Sequence, residues 1–492
     1  MINKKVGLFY KYMLWAGLYM LFYGCKKGEE PSKGELLARN YCASCHLFPG
    51  PDLLSKDVWM TETIPEMGLR LGMSHHGPEY YDNGFNKAIY PENMMLSQED
   101  WERLVMYYKI MAPQEITLYK QEKLKESNVF EAKAYAYNGK NSSIVTMIEY
   151  NVKDEKLYLG DGEKASLITL NTDGDVLAVK KLKSPPVKIQ FKDTSSVMLS
   201  IGSLYPSDVK KGVLNIGVHR IDSLIRPVDF IIKDVDKDGF EDVLISEFGN
   251  TVGNLVWYKN NANNNYSRRV IYPFSGSIKM EYGDLDGDGN EELVAMLAQE
   301  SESIIVFSFE DGKFYSRKIK QFHPAFGLND FQLVDFNNDD LLDIVFSNGD
   351  NADYSSVLKN YHGVRVYLNN GDFEFTESYF YPYHGASKVE VADFNLDGKL
   401  DILTISNFGD LTDSNFESLV LLTNIGDLNF NANKIKNIPR TGWQTIDVKD
   451  FDNDGDKDVF IGAFGIKLGP KESIKDNEAK MSWIKLINNT LY

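Results

Sequence analysis

The sequence predicts a multidomain protein in which a small all-α domain is followed by an all-β, seven-bladed β-propeller. Three observations support this prediction. A Cys-x-x-Cys-His motif lies between two short amphipathic segments near the N-terminus, and an aspartate-rich loop with β-rich flanks recurs five times in the second half of the chain. Two weaker copies of the same strand spacing precede these loops. A chain of 492 residues is also too long for one ordinary hydrophobic core.

The first 25 residues are typical of an export signal. Residues 1–5 are positively charged, residues 12–24 form an apolar stretch that is short for a membrane span, and Cys25 follows Gly24. This pattern resembles a bacterial lipoprotein signal, which implies cleavage before Cys25 and lipidation of its thiol. An uncleaved anchor helix is the alternative. We therefore expect an exported protein, periplasmic or at the cell surface, lipid-anchored to a bacterial membrane through a tether at residues 26–33.

The net charge of −18 argues against nucleic acid as a partner, because a general basic field is absent. An acidic chain instead suits the binding of cations. Five bound Ca²⁺ ions would bring the net charge from −18 to about −8, an ordinary value for a soluble protein.

Cys42, Cys45 and His46 form a Cys-x-x-Cys-His motif, the spacing at which haem c is attached. Two thiols one helical turn apart can add to the two vinyl groups of haem, and the adjacent histidine can then bind the iron. A zinc site would need two more ligands, and the sequence has no further cysteine pair. A thioredoxin-like dithiol would need a βαβ context that the sequence lacks. The motif therefore predicts one covalent haem c, with His46 as an axial ligand.

The residues around this motif predict two helices that pack together. Residues 34–41 form a short helical segment that runs into Cys42, while Ser97 and Asp100 form a capping box at the start of a second helix. The second helix carries an apolar stripe: Trp101, Leu104, Val105 and Tyr108. With this pattern, residues 34–113 resemble a class I cytochrome c, and the resemblance implies an electron-transfer domain whose terminal helices are in contact.

The second axial ligand of the iron is left open by the sequence. A methionine thioether would raise the reduction potential and close the site, whereas an open position would permit ligand chemistry. Met67 is favoured because neighbouring proline and glycine residues can fix a loop, and Met94 and Met95 are the alternatives before the last helix. The remaining candidates are Met73, His75 and His76.

The acidic loops place carboxylates or amides at positions 1, 3, 5 and 9, with glycine or a similarly tolerant residue at position 6. Oxygen ligands at this spacing converge on a hard cation such as Ca²⁺, and a backbone carbonyl at position 7 completes the set. The predicted ligands are Asp234, Asp236, Asp238 and Asp242; Asp284, Asp286, Asp288 and Glu292; Asp335, Asn337, Asp339 and Asp343; Asp393, Asn395, Asp397 and Asp401; and Asp450, Asp452, Asp454 and Asp458. Up to five calcium ions are expected, and acidic turns without metal are the alternative.

Other features recur with the loops. Phe-Gly follows three of them, at Phe248, Phe408 and Phe464, and a later strand ends in asparagine at Asn260, Asn369, Asn424 and Asn488. Together these features resemble the FG-GAP (VCBS) repeats of integrin-α-like propellers, which implies one four-stranded blade per repeat.

Blade number and closure follow from the rest of the chain. Degenerate units at residues 145–159 and 187–201 bring the count to seven. We expect residues 483–488 to pair with strands near 129–137, which would close the ring. A linker at 114–128 would then precede a propeller at 129–492.

A second repeated pattern, of proline and glycine, predicts turns at the face of the propeller opposite the acidic loops. Proline and glycine occur eleven and eight residues before the first aspartate of the last four loops. The variable residues of these turns, together with carboxylates from a second set of loops, are expected around the mouth of the central channel: Phe274, His323, Phe326, Tyr383, His384, Arg440, Trp443, Asp350, Asp353, Asp410 and Asp413. They could line a binding or active site, or simply be channel lining.

The leading functional hypothesis is an exported haem c protein that transfers electrons to an unidentified redox partner, with a calcium-stabilised propeller that binds a partner, a glycan or a small molecule. One alternative is a haem-coupled oxidoreductase that oxidises a sugar, alcohol or similar substrate at the propeller mouth. The sequence has no recognisable quinone, flavin or nucleotide fingerprint to support it. Another alternative is an adhesion module with a structural haem.

Overall fold

The computed structural model describes residues 31–44, 46–73, 91, 93–135, 144–192, 195–262, 265–350, 357–464, 483–488 and 490. The described residues before the propeller form a helical segment, residues 31–112. Its helices are α1 (Lys33–Tyr41), α2 (Lys56–Val58), α3 (Ile64–Arg70) and α4 (Gln98–Met111), with a π-helical turn at Trp59–Thr63 and 3₁₀ turns at Cys42–Ser44 and Pro51–Leu53.

Helices α1 and α4 form where the sequence predicts them and pack against each other. Each begins at a serine N-cap: the Ser32 hydroxyl accepts from the Glu35 amide, and the Ser97 hydroxyl accepts from the Asp100 amide, both at 3.1 Å. Gly34 allows the close approach, because a Cβ there would lie 2.5 Å from the Arg103 carbonyl oxygen. The core of the segment contains Ala38, Leu104 and Tyr108. The predicted helix pair is therefore confirmed.

The rest of the chain forms seven four-stranded antiparallel blades, which confirms the predicted seven-bladed β-propeller. From the inner to the outer strand, blade 1 is β3 (Val145–Asn151), β4 (Lys156–Asp161), β5 (Ser166–Leu170) and β6 (Val176–Lys181). Blade 2 is β7 (Pro186–Phe191), β8 (Ser196–Ser200), β9 (Gly212–Ile216) and β10 (His219–Leu224). Blade 3 is β11 (Pro227–Lys233), β12 (Asp242–Glu247), β13 (Asn254–Asn260) and β14 (Tyr266–Tyr272). Blade 4 is β15 (Ser277–Gly283), β16 (Glu292–Leu297), β17 (Ser303–Glu310) and β18 (Lys313–Gln321).

The last three blades follow the same plan. Blade 5 is β19 (Leu328–Val334), β20 (Asp343–Asn348), β21 (Gly363–Asn369) and β22 (Phe375–Pro382). Blade 6 is β23 (Ala386–Ala392), β24 (Asp401–Ser406), β25 (Leu419–Gly426) and β26 (Asn429–Ile435). Blade 7 is β27 (Trp443–Lys449), β28 (Asp458–Ala463), β29 (Trp483–Asn488) and, as its outer strand, β2 (Phe130–Tyr135).

The ring is closed by strands that are distant in sequence. Strand β2 pairs antiparallel with β29, from Phe130 opposite Asn488 to Tyr135 opposite Trp483, as predicted. The expected linker also contains a short strand, β1 (Lys125–Ser127), which pairs parallel with β26 at the outer edge of blade 6. Covering these edges removes the unpaired strand edge that an open ring would expose.

Hydrophobic contacts between neighbouring blades hold the ring together. The second strand of each of blades 3 to 7 is buried at every residue, because it is flanked by strands on both sides and by a blade on each face. Blades 4 and 5, for example, share a core that contains Val294, Met296, Phe331 and Phe346.

Every inner strand contains a β-bulge at the same place, one residue after its start. The residues that follow the bulges occupy equivalent positions in the seven blades: Met147, Lys188, Asp229, Lys279, Asp330, Lys388 and Thr445. Because blades 1 and 2 share this bulge, they are equivalent to the others even though their loops have lost the aspartates.

Candidate functional sites

The five acidic loops all connect the first and second strands of blades 3 to 7, so they lie at one end of the propeller. In the first loop, the Asp234 carboxylate accepts backbone hydrogen bonds from Asp238 at 3.1 Å and Gly239 at 2.8 Å. Asp335, Asp393 and Asp450 make the same pair of bonds to the fourth and fifth residues after them. In the blade 4 loop, Asp284 accepts from Gly287 and Gly289 instead, so four of the five loops share the same pair of bonds.

Each loop contains two residues in the left-handed conformation. Position 6 has a positive φ in every loop, and it is glycine except in the third, where Asp340 adopts a φ of 67°. Position 4 also has a positive φ; it is glycine in the blade 4 loop, Gly287, and a non-glycine residue in the other four, such as Leu396 at 57°. The requirement at position 4 is not visible in the sequence.

Three of the loops bring three carboxylates together, with ligand atoms all within 4.8 Å of one another. The groups are Asp234, Asp236 and Asp242; Asp284, Asp286 and Glu292; and Asp450, Asp452 and Asp454. In the other two loops, position 3 is asparagine, and the side-chain oxygens of Asn337 and Asn395 turn inward to accept the amide of position 5. Each of the three carboxylate groups thus presents oxygen atoms to one small volume, as a hard cation requires.

The last loop contains several buried carboxylate oxygens without a hydrogen-bond partner among the described residues. They are Asp454 Oδ2, both carboxylate oxygens of Asp456, and Asp458 Oδ2. Burial, together with the neighbouring Asp454 and Asp458 carboxylates, raises the pKa of Asp456 to about 6. Such oxygens are costly to bury unless a cation neutralises them, so this loop fits a calcium ion.

Position 9 has a second, structural role that the ligand pattern did not reveal. The Asp343 carboxylate accepts the backbone amides of Phe336 at 2.9 Å and Asn369 at 2.8 Å, so it ties the loop to the third strand. Asp242 and Asp401 make the equivalent pair of bonds. Burial raises the pKa of Asp343 to about 6 in spite of these bonds.

The asparagines at the ends of the third strands connect blades to each other. The Asn369 side-chain amide donates to the Leu342 carbonyl in its own blade at 3.1 Å and to the Leu285 carbonyl in blade 4 at 2.9 Å. Asn488 does the same with Lys457 and with Phe394 of blade 6. The repeated asparagine is therefore explained by structure, with no ligand involved.

Three of the loops have a lysine of the chain beside a predicted ligand carboxylate. Lys399 lies 3.0 Å from Asp397, Lys485 lies 3.8 Å from Asp458, and the third case is the blade 3 loop. The Lys259 ammonium group contacts the carboxylates of Asp236 and Asp238, at 2.8 Å in the second case. These contacts with Asp236 and then Asp238 raise the pKa of Lys259. Lys259 would therefore compete with calcium for positions 3 and 5 of this loop.

At the opposite end of the propeller, a partly enclosed cavity of about 440 Å³ occupies the mouth of the central channel. Residues from all seven blades line it, among them Glu149, Lys188, Arg226, Asn329 and Gln444. Of the residues predicted for the mouth, Asp350 lines this cavity, and Asp353 lies outside the described residues.

The other predicted mouth residues are mostly structural. The Tyr383 hydroxyl donates to the Glu417 carbonyl, and the Trp443 indole donates to the Ser418 hydroxyl, with both rings buried. His384 stacks on Tyr119, and Arg440 donates to the Leu411 carbonyl at 3.2 Å. Phe326 is buried and stacks on Phe322, and His323 is also buried, whereas Phe274 is exposed. The Asp410 and Asp413 carboxylates accept backbone amides within their own turn. Sequence reasoning thus identified the correct face but not the residues that line its cavity.

Comparison with known proteins identifies the repeat. A family model described as an FG-GAP-like repeat matches residues 234–295, 284–346 and 348–404. These segments are FG-GAP-like repeats. Each match begins at or near a loop and ends in the second strand of a following blade. The loop of blade 7 makes the same pair of backbone bonds as three of the loops in the matched FG-GAP-like repeats, although it lies beyond the last matched residue.

Solved structures with similar shapes are distant in sequence. The WD40 domain of Neurospora crassa Pan2 has a TM-score of 0.46 at 10% identity, covering 74% of this chain and 96% of its own. The N-terminal domain of Nup159 has a TM-score of 0.40 at 9% identity, covering 76% and 100%. A luciferin-regenerating enzyme has a TM-score of 0.36 at 9% identity, covering 73% and 96%. No curated protein sequence matches this chain significantly.

The helical segment lies outside the FG-GAP-like repeats and carries the Cys-x-x-Cys-His motif. Cys42 ends α1 and is buried in the core of the segment, 4% exposed. Burial raises the pKa of the Cys42 thiol to about 12, although a hydrogen bond with Tyr108 opposes the shift. Cys45 lies outside the described residues, as do Cys25, His75 and His76.

One ring nitrogen of His46 is hydrogen-bonded to the backbone. Its Nδ1 lies 2.8 Å from the Leu47 carbonyl oxygen, so Nδ1 carries the proton and Nε2 has a lone pair. Burial lowers the pKa of His46, which favours the neutral imidazole.

The candidate methionines differ in their surroundings. Met67, on α3, packs against the same hydrophobic core as Cys42, and Met73 is buried in that core. Met94 and Met95 are 53% and 50% exposed.

The helical segment rests on blades 5 and 6, at the same face of the propeller as the cavity. Val357 of the propeller packs into the core of the segment. The Asn360 side chain accepts from the Tyr119 amide at 3.1 Å and donates to the Thr117 carbonyl at 2.9 Å. Burial is the main cause that lowers the pKa of His323 to about 3, and the positive charges of Lys359, Arg365 and His46 add to it. The motif histidine and the loops of blade 5 are therefore neighbours.

Proposed function

We propose that this protein is an exported haem c protein that transfers electrons, with a calcium-stabilised propeller that binds a partner or ligand. The observation that carries the proposal is the Cys-x-x-Cys-His motif, placed at the end of α1 with Cys42 in the core of a small helical segment. The resemblance of residues 34–113 to a class I cytochrome c supports the same reading.

The described residues of the motif fit a covalent haem. A thioether carries no proton or charge, and the apolar surroundings that raise the pKa of the Cys42 thiol would suit it. The bond between His46 Nδ1 and the Leu47 carbonyl fixes the ring orientation and leaves Nε2 to bind iron, as expected for a histidine ligand. Cys42 and Cys45 would hold the haem and His46 would be its first axial ligand.

Met67 remains the preferred second axial ligand. It lies with Cys42 around one core, whereas the half-exposed Met94 and Met95 would have to turn inward to reach it. When bound, the haem would supply an iron that alternates between the ferrous and ferric states. The chain would contribute the axial ligands and a core that excludes water.

Calcium is proposed for the acidic loops on the basis of their converging carboxylates and the unpartnered buried oxygens of the last loop. Up to five ions would bind. Export and lipidation at Cys25 are proposed from the first 25 residues, which lie outside the described part of the chain. Among the described helices, none is long and apolar enough to cross a membrane.

One observation favours a second candidate, a haem-coupled oxidoreductase. The helical segment packs on Val357 of the propeller, and the linker that follows it docks at the face that contains the cavity, with Tyr119 stacked on His384 and hydrogen-bonded to Asn360. A substrate held in the cavity would then be on the same side of the propeller as the haem.

The haem assignment is tested by replacing Cys42 and Cys45 with alanine in the full chain expressed with a haem c maturation system. We expect the haem-stained band on a denaturing gel to disappear while the unfolding transition of the propeller changes little, because Val357 is the one described propeller residue that packs into the core of the helical segment. A Met67→Ala variant should keep the stained band but lose the weak ferric absorption band typical of methionine ligation. Haem that remains covalently attached to the double variant, or a parent protein without haem, would contradict the proposal.

A further inference from the structure

The cavity at the propeller mouth has two chemically different sides. The bulges of the inner strands turn one residue of each blade towards the mouth, and most of these residues line the cavity. Blades 2, 3 and 4 contribute the apolar Val187, Val228 and Ile278, whereas blades 5 and 7 contribute the amides Asn329 and Gln444. A ligand that fills the cavity must therefore be apolar along one side and polar along the other.

The polar side has hydrogen-bonding groups to offer. Asn329 is only 5% exposed, yet no residue within the described part of the chain hydrogen-bonds its side-chain amide. Gln444 accepts from the Asn407 amide at 2.8 Å, and its own NH₂ group finds no acceptor among the described residues. Both amides line the cavity and are therefore available to a ligand bound in it.

The floor of the cavity has balanced charges. Lys188 lies 2.6 Å from Asp229, Lys279 lies 3.0 Å from Asp330, and Lys388 lies 3.2 Å from Asp330. These five residues alternate in sign around the channel and pair with one another, so none of them offers an unpaired charge to an ionic ligand. The Glu149 carboxyl faces the cavity from below, and burial followed by repulsion from Asp447 raises its pKa to about 7. Near neutral pH it can accept or donate a hydrogen bond.

We propose that this cavity binds an uncharged, hydroxylated aromatic ring, with the ring against the apolar side and its hydroxyl groups against the amides of Asn329 and Gln444. The volume of about 440 Å³ is in the range of small-molecule sites and accommodates a ring of this size. This inference specifies the ligand of the proposed propeller function, and it does not depend on haem.

The test is isothermal titration of the full-length protein with four probes: catechol, benzoate, benzylamine and glucose. We expect catechol to bind, and the two charged rings and the evenly hydroxylated glucose to bind at least about tenfold more weakly. Asn329→Leu should weaken catechol binding about tenfold, since it removes a hydrogen bond in a desolvated site. The exposed Asn431→Leu on β26 is the matched control and should bind as the parent does.

Ile278→Ser tests the apolar side and should also weaken catechol binding, while unfolding curves confirm that each variant is folded. The inference is overturned if catechol fails to bind at about 20 mM, if a charged ring or glucose binds as well, or if the folded Asn329→Leu and Ile278→Ser variants bind like the parent. Titrating the Cys42→Ala/Cys45→Ala variant separates the two proposals. Catechol binding without haem leaves this inference standing, and haem attachment without catechol binding contradicts this inference alone.

Discussion

Single residues around the acidic loops make five similar sequences chemically different. Lys259 places an ammonium group against two carboxylates of the blade 3 loop, whereas the blade 7 loop has an additional buried aspartate, Asp456. Both loops have aspartate at positions 1, 3, 5 and 9. Their affinities for calcium should therefore differ, because Lys259 bonds two carboxylates of the blade 3 loop, whereas in the blade 7 loop Lys485 lies 3.8 Å from one carboxylate, Asp458.

The residue-scale prediction concerns Lys259→Met, which keeps the side-chain length but removes the charge. We expect tighter calcium binding by the blade 3 loop, since the competing ammonium group is gone, and a lower melting temperature in chelator, since two carboxylates lose their partner. Calcium titration followed by calorimetry measures both effects. Lys180→Met, on the exposed strand β6, is the control. Unchanged calcium affinity in Lys259→Met would show that this loop does not bind calcium at positions 3 and 5.

At the scale of the element, polar contacts link neighbouring blades at both ends of the propeller. A bulge near the start of the inner strand turns consecutive residues into the channel, where Asp229 reaches the Met280 amide of the next blade at 2.8 Å. At the other end, the asparagine that ends the third strand bonds a neighbouring loop and the previous blade. Polar contacts thus fix the angle between blades, while the hydrophobic clusters between them supply the bulk of the burial.

The element-scale prediction is that Asn369→Ala lowers the free energy of unfolding by about 1 to 3 kcal/mol, because it leaves two buried carbonyl groups without a donor. The adjacent Asn370→Ala, an exposed turn residue, should cost much less. Urea unfolding monitored by tryptophan fluorescence compares the two variants. Equal losses would mean that the asparagine at the strand end does not connect the blades.

For the whole molecule, stability couples to calcium because the ions bind the folded loops and not the unfolded chain. Each site would add about 2.7 kcal/mol at a hundredfold excess of calcium over its Kd. We expect chelator to lower the melting temperature of the propeller by many degrees and Asp286→Ala and Asp454→Ala each to lose part of the calcium-dependent shift. Differential scanning calorimetry measures it. A propeller transition that is the same with and without calcium would identify the acidic loops as turns.

The central channel adds a second whole-molecule property, a dependence of stability on pH. Burial raises the pKa of Glu390 to about 7; the attraction of Lys279 opposes this shift, and repulsion from Asp330 and Asp447 adds to it. Between the ordinary carboxyl pKa and pH 7, the folded protein therefore holds a proton that the unfolded chain has lost. Stability from this group is present at the acidic end of that window and declines as pH rises through it.

We expect the calcium-free protein to melt at a lower temperature at pH 7.5 than at about pH 5.5. Glu390→Gln should reduce this difference, because glutamine keeps the hydrogen bond with Gln332 and has no proton to lose. Other raised carboxyl groups act in the same direction, so the comparison with the parent isolates Glu390. A pH dependence identical in the two proteins would show that Glu390 is ionised in the folded state.

The sequence by itself determined the repeat, the number of blades, the closing strand and the two helices, with the serine cap of the second helix. These features depend on local patterns: an aspartate spacing that sets a loop, a strand period, and a capping residue. The tertiary structure alone decided what surrounds them. Bulges turn Asn329 and Gln444 into the cavity. Lys259 contacts an acidic loop 21 residues away, and Asn360 binds the chain near Thr117. No local sequence pattern relates the residues that these contacts bring together. The end of the propeller at which the predicted turns lie was therefore predictable, while the lining of the cavity there, apart from Asp350, was not, because packing between blades selects which side chains point into the channel.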